Sequence, residues 1–187
     1  MSYEHVMIDF ETLGIDPNCV VLSLGAVKFD ETGVDGKDTF HHLFNVQDQL
    51  DADRTVTAST ISWWMGQSDN ARAQFSEQSR IRLGPGLVLD AFNRWWGDAK
   101  YIWSHGSNFD TVILDDLMHM WGRHTPWRYS DVRDTRTLFD MFNKTHPSFQ
   151  EELMVNLKPA GVTAHDALID SFNQAKAVQY AMFMLKP

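Results

Sequence analysis

The run CVVLSLGAVKFD, residues 19–30, constrains the fold more than any other stretch. It is too rich in Val and Leu to be exposed on both faces, so it reads as a central strand. HVMIDF, 5–10, is a strand before it. ETGVDGKD, 31–38, carries Gly33 and Gly36 and reads as a hairpin turn into TFHHLFNV, 39–46, an antiparallel third strand. A sheet so begun must cover its apolar faces with other elements, and the rest of the chain supplies helices.

Ser59 or Thr60 can cap a helix through ISWWMGQ, and Ser68 one through DNARAQFSE. Gly84-Pro85-Gly86 breaks the chain before LVLDAFNRWW, 87–96, which has helical apolar spacing. YIWSHG, 101–106, is a fourth strand, and Ser107 or Asn108 can cap the helix FDTVILDDLMHMW. A short strand at Trp127–Tyr129, a helix over 134–143 with Asp134 as its cap, a loop over 144–162 and a last helix over about 165–183 complete the order. Three antiparallel strands followed by βαβ units predict one domain over 1–187. The expected class is α/β: a mixed five-stranded sheet with helices on both faces, in the ribonuclease H-like order.

Asp9 and Glu11 stand in the first strand, two apart, and so project to the same side. Two ionised carboxylates this close repel unless a proton or a metal lies between them. Asp110, in the first turn of a helix after a strand, could simply stabilise that helix's dipole by about 0.3–1 kcal/mol. His165 and Asp170, in AHDALIDSF, could each be ordinary surface residues. Together, Asp9, Glu11, Asp110 and Asp170 form a hard oxygen set suited to Mg²⁺ or Mn²⁺, and too many carboxylates for one Mg²⁺. Two divalent cations suit in-line displacement at phosphorus. His165 would take a proton from the attacking water.

The motifs IDFET, SNFDTVIL and HDALID, in this order and spacing, resemble those of the DEDDh 3′–5′ exonucleases, the DnaQ-like or RNase T-like superfamily. The likeness spans roughly 5–183, and the spacing His165-x-x-x-x-Asp170 marks the histidine branch. DFETLG, TISWWMGQS and VRDTRTL are similar to a compact branch of phage exonucleases and small bacterial exoribonucleases. The resemblance implies that Asp9 bridges both metals. Glu11 and Asp170 would complete the water-activating site, Asp110 would support the second ion, and His165 would be the general base. It implies release of nucleoside 5′-monophosphates from a single-stranded 3′ end. Phe10, Thr12 and Leu13 would hold the terminal nucleotide, with Leu13 as a wedge. Trp64, Gln67 and Asn108 are further expected nucleotide contacts. One of Trp63 and Trp64 belongs to the core, since neighbours on a helix cannot face the same way. A ribonuclease H-type endonuclease and a non-catalytic nucleic-acid-binding module are the alternatives.

A net charge of −9 argues against holding nucleic acid by bulk positive charge, though not against an enzyme whose site brings its own cations. Arg123, Arg128, Arg133 and Arg136 cluster beside His124, either as a solvated face or as a local phosphate-tracking surface. The single Cys19 excludes an intrachain disulfide and a Cys-rich zinc site. The chain shows no signal-peptide pattern and no apolar run near 18 residues, so the expected place is the cytosol, of a bacterium or a phage-infected host, with no membrane partner. Some relatives pair as dimers, which leaves a homodimer open. DNA and RNA are not distinguished at this level.

Overall fold

The computed structural model describes residues 3–73, 81–144, 146 and 165–184. The meander is β1 (His5–Thr12), β2 (Val21–Asp30) and β3 (Gly33–Phe44). The β2–β3 turn is tighter than the sequence suggests: Asp30 already pairs with Gly33. The carboxylate of Asp30 accepts from the backbone N–H and hydroxyl of Thr32 and from the N–H of Gly33.

The sheet has six strands rather than the expected five, in the order β4-β3-β2-β1-β5-β6. The additional strand is β4 (Arg82–Leu83), parallel to the end of β3. Two residues cannot show a period-2 pattern, so this edge is invisible in sequence. β5 (Tyr101–Ser104) lies parallel to β1, and β6 (Val132–Asp134) parallel to β5. The expected strand at Trp127–Tyr129 is displaced to β6: Trp127 is buried against Phe92 and Trp96, and Tyr129 opens a 3₁₀ turn.

Helices cover both faces. Val6, Ile8, Leu24 and Phe40 meet α4 (Pro85–Trp96) and α5 (Asp110–Met120). On the opposite face Met7, Val27, Phe29 and Trp103 meet α6 (Thr135–Asn143) and α7 (Ala167–Met184). Three short helices precede these: α1 (Val46–Asp51), α2 (Ala58–Met65) and α3 (Asp69–Ala73). α1 has no apolar stripe to predict it. Its buried residue is Gln49, whose amide bonds both the N–H and the C=O of Val21 at 2.8 Å, as a neighbouring strand would. The cap of α5 is Phe109 without a side-chain bond, not Ser107 or Asn108. Asp134 caps α6 by accepting from the N–H groups of Arg136 and Thr137. Ser68 Oγ accepts from Ala71 N–H at the start of α3. The expected continuation of that helix past residue 73, and nearly all of the loop over 144–162, lie outside the described residues.

α7 sits unusually close to the sheet. Ala167, Ser171, Ala175 and Val178 form its buried stripe. At Gly25, in the middle of β2, an added Cβ would lie 2.2 Å from the carbonyl carbon of Ala167. Backbone there meets backbone, and no side chain fits. This contact fixes the depth of α7 over β1, and with it the position of everything α7 carries.

Candidate active site

Alternation along β1 sends Val6, Ile8 and Phe10 toward α4 and α5, leaving Met7, Asp9 and Glu11 on the side of α7. Asp9 pairs with Gly25 and Glu11 with Ser23, so the neighbouring strand puts no bulk beside the carboxylates. The register then slips between Glu11 and Thr12. Such a bulge re-aims the strand end. The segment beyond it is pinned: Leu13 N–H donates to Val20 O, Thr57 N–H to Leu13 O, and Trp64 Nε1 to Thr12 O at 2.9 Å.

Asp110 arrives from the first turn of α5. It is buried, and its Oδ1 accepts the N–H of Phe10 at 3.1 Å. Helix α7 brings Asp170 and Gln174, and Gln174 Nε2 donates to Asp9 Oδ1 at 2.9 Å. His165 precedes α7 in a left-handed backbone conformation, φ 65°. A non-glycine residue holds that conformation only where its surroundings fix it. Its ring meets the face or edge of Trp63 at 4.8 Å and of Trp64 at 6.1 Å, near perpendicular in both cases. Glu11, His165 and Asp170 each bring a donor atom within 4.8 Å of the other two.

The electrostatics record the crowding. Burial, then the charges of Asp110, Glu11 and Asp170, hold the Asp9 carboxyl well above the usual range, against the Gln174 hydrogen bond. Burial, with Asp170, Asp166 and Asp110 nearby, pushes Glu11 up to about 8. Burial also lifts Asp110 to about 7, opposed by the N–H of Phe10, its own N–H and the charge of Arg136. Asp170 is raised by burial and by Asp166, while His165 works the other way. A four-carboxylate, all-oxygen set with this much unrelieved repulsion fits hard divalent cations, which remove the cost of ionising all four.

A sign follows for stability. Raised carboxyl values mean that the folded metal-free protein keeps protons that the unfolded chain releases. Its stability is then fullest below the ordinary carboxylate range and is lost as pH rises through about 7 and about 8, the values for Asp110 and Glu11. In chelator, the unfolding temperature is expected to fall between roughly pH 5 and pH 8.5, and Mn²⁺ to restore it most at the alkaline end. A flat chelator profile measured by calorimetry would remove the charge cluster.

The expected nucleotide contacts separate. Phe10 is 6% exposed and its side chain lies in the core on the far face of β1, so it cannot hold a nucleotide through its ring. Trp64, also 6% exposed, packs with Leu22, Ala71 and Leu13. Its expected base contact is corrected on that ground: Trp63, 45% exposed, is the tryptophan that faces outward. Thr12 is buried, its hydroxyl donating to Gly14 O. Leu13 and Gln67 are half-buried, Gln67 donating to Trp63 O, and Asn108 is exposed. Two site residues escaped the sequence reading. Gln174 has no local signal, since its partner is 165 positions away. Gly25 does have one: a glycine inside a strand pattern marks a close approach.

The sequence profile of the 3′–5′ exoribonuclease Rv2179c-like domain matches residues 4–182. An exodeoxyribonuclease of Enterobacteria phage T4 is 25% identical over 205 residues, covering 94% of this chain and 88% of that enzyme. Among solved structures, cell-death related nuclease 4 superposes with a TM-score of 0.69 at 16% identity, over 98% of this chain and 65% of its own length. The nuclease domain of 3′hExo, a DEDDh family member bound to rAMP, gives a TM-score of 0.63 at 17% identity, over 95% of this chain and 91% of that one. The two structural likenesses bear on the fold, which is the ribonuclease H-like arrangement of the DEDDh exonucleases.

Proposed function

We propose, from the premise that the chain belongs to the 3′–5′ exoribonuclease Rv2179c-like domain family, how this DEDDh-type 3′–5′ exonuclease works. It removes nucleoside 5′-monophosphates one at a time from the 3′ end of single-stranded nucleic acid. The observation that carries the reading is the meeting of Asp9 and Glu11 on β1, Asp110 on α5 and Asp170 on α7, with His165 beside them.

Asp9, Glu11, Asp110 and Asp170 would hold two divalent cations, Mg²⁺ or Mn²⁺, which when bound activate water and stabilise the leaving 3′-oxygen. The chain's own residues do the rest. His165 takes the proton of the attacking water at its imidazole nitrogen. Gln174 anchors Oδ1 of Asp9 by a hydrogen bond, and Oδ2 would be the oxygen offered to a cation. The α5 N-terminus and the N–H of Phe10 fix Asp110. Leu13, at the bulged end of β1, presents an apolar side chain to the terminal base, and Trp63 offers a stacking surface worth about 1–3 kcal/mol per base. Gln67 and Asn108 supply amide groups at the rim. The lone, buried Cys19 suits a reducing compartment, and the reading places the enzyme in the cytosol.

The family name refers to a ribonuclease and the phage relative's to a deoxyribonuclease, so the test pairs the two polymers. Matched 5′-labelled linear RNA and DNA, and closed circles of each, are incubated with Mg²⁺ or Mn²⁺ and resolved by length. A ladder shortening by single steps on the linear strands, with circles intact, is expected. Cleaved circles would favour a ribonuclease H-type endonuclease. Binding without shortening would favour a non-catalytic module.

A further inference from the structure

Arg123 places its guanidinium on both oxygens of Asp90, at 3.0 and 2.8 Å. Arg133 donates to Ser130 O and Val132 O and lies over the ring of Tyr101. Arg136 differs from both. It is exposed, and among the described residues its guanidinium makes no hydrogen bond or ion pair. It occupies the space a side chain would take at Gly106, where an added Cβ would be 3.0 Å from Nη1 and 3.3 Å from Cζ. Gly106 has φ +109°, a conformation that L side chains rarely adopt, so the connection between β5 and α5 is shaped to let the guanidinium approach.

His105 stands on the same connection. The residue is exposed but its ring is part-buried, and Nδ1 shares a hydrogen bond of 2.8 Å with the buried hydroxyl of Thr135. With Thr135 donating, the ring proton sits on Nε2, which makes it an outward donor. Burial first, then the charge of Arg136, lowers the His105 pKa, so the two groups are close in space.

Sheet order gives the pair a direction. Leu13 packs with Leu22, Trp64 and Val46 on the β1–β2 side, and Trp63 lies edge-on to Trp64 there. Gly106 follows β5, one strand spacing from β1, and Arg136 follows β6, two spacings or ~10 Å from β1 on the side away from β2. The charge of Arg136 also acts on the Asp110 carboxyl, so the guanidinium stands beside the carboxylates, across from Leu13.

We propose that Arg136, with His105 beside it, forms an anion subsite that grips a phosphate of the substrate strand on the 5′ side of the scissile one. This rests on the exonuclease reading above. A protein of net charge −9 needs such a local grip, and a guanidinium offers a planar pair of donors to phosphate.

The test uses the full chain with Arg136→Gln and Arg136→Lys. A 5′-fluorescent dodecanucleotide is bound in chelator at several KCl concentrations. Loss of one phosphate contact is expected to flatten the slope of log Kobs against log salt by about 0.7 in Arg136→Gln, with Arg136→Lys recovering part. With Mn²⁺, the ratio of kcat/KM for a hexanucleotide to that for the p-nitrophenyl ester of thymidine 5′-monophosphate, which has no upstream phosphate, is expected to fall about tenfold. An unaltered slope and ratio would overturn the subsite. So would an equal loss on both substrates with changed Mn²⁺ affinity, because Arg136 would then act through Asp110 alone. If the wild type hydrolyses neither substrate, the exonuclease reading fails, and the subsite is still decided by the salt slope, which needs no turnover.

Discussion

Asp9→Asn is expected to lower turnover by at least ~10³-fold while raising the unfolding temperature of the metal-free protein at about pH 8. The two effects have one cause. Asp9 is the carboxylate on which Asp110, Glu11 and Asp170 all press, and burial makes its charge costlier still. An asparagine has the same shape, and its oxygen still accepts from Gln174 Nε2. Only the ionisable group leaves. In chelator that removes the cost of either taking up a proton or burying a charge at this position, and a gain of about 1–2 kcal/mol would raise the midpoint of a chain this size by roughly 2–8 °C. In Mn²⁺ the same change removes a ligand that two cations would share. Activity assays and calorimetry on one preparation check both halves. Full activity, or a fall in the chelator midpoint, would contradict the reading of Asp9 as a strained carboxylate held for metal. Asp170→Asn should behave alike in direction, more weakly in stability, because Asp170 is less crowded.

Much of this arrangement was legible because it is local or periodic. The strand period places Asp9 and Glu11 on one side whatever lies around them. Asp134 announces α6, since an Asp before a helical run caps it. The apolar run at 19–30 implies a central strand, and β2 lies between β1 and β3. What escaped depends on contacts between distant segments. β4 exists because two residues find the edge of β3, and α1 because Gln49 substitutes for a strand neighbour of Val21. The choice between Trp63 and Trp64 turns on a single rotation of about 100° around α2. Only the carbonyl of Thr12, waiting for an indole N–H, decides it in favour of burying Trp64. Gln174 is the sharpest case: a glutamine in the middle of a long helix reads as solvent-facing until Gly25 lets α7 descend onto β2.

His165→Ala is expected to lower kcat by roughly 10²–10⁴-fold and to leave Mn²⁺ affinity within about threefold of the wild type. The geometry makes this a real choice, because His165 lies close enough to Glu11 and Asp170 to be a ligand itself. Two observations favour the base. The donor set is otherwise all oxygen, which suits Mg²⁺ or Mn²⁺ better than an imidazole would. And the left-handed backbone at His165, with the ring braced against Trp63, holds the side chain at the mouth of the site beside the exposed tryptophan. Removing a base slows the proton step and leaves the cations in place, so added imidazole should recover part of the rate. Removing a ligand weakens Mn²⁺ binding, and no free imidazole would restore the rate at saturating metal. Isothermal titration with Mn²⁺, alongside single-turnover rates with and without imidazole, separates the two. A Mn²⁺ affinity reduced tenfold or more would make His165 a ligand, and the proton acceptor would then have to be sought among the carboxylates around it.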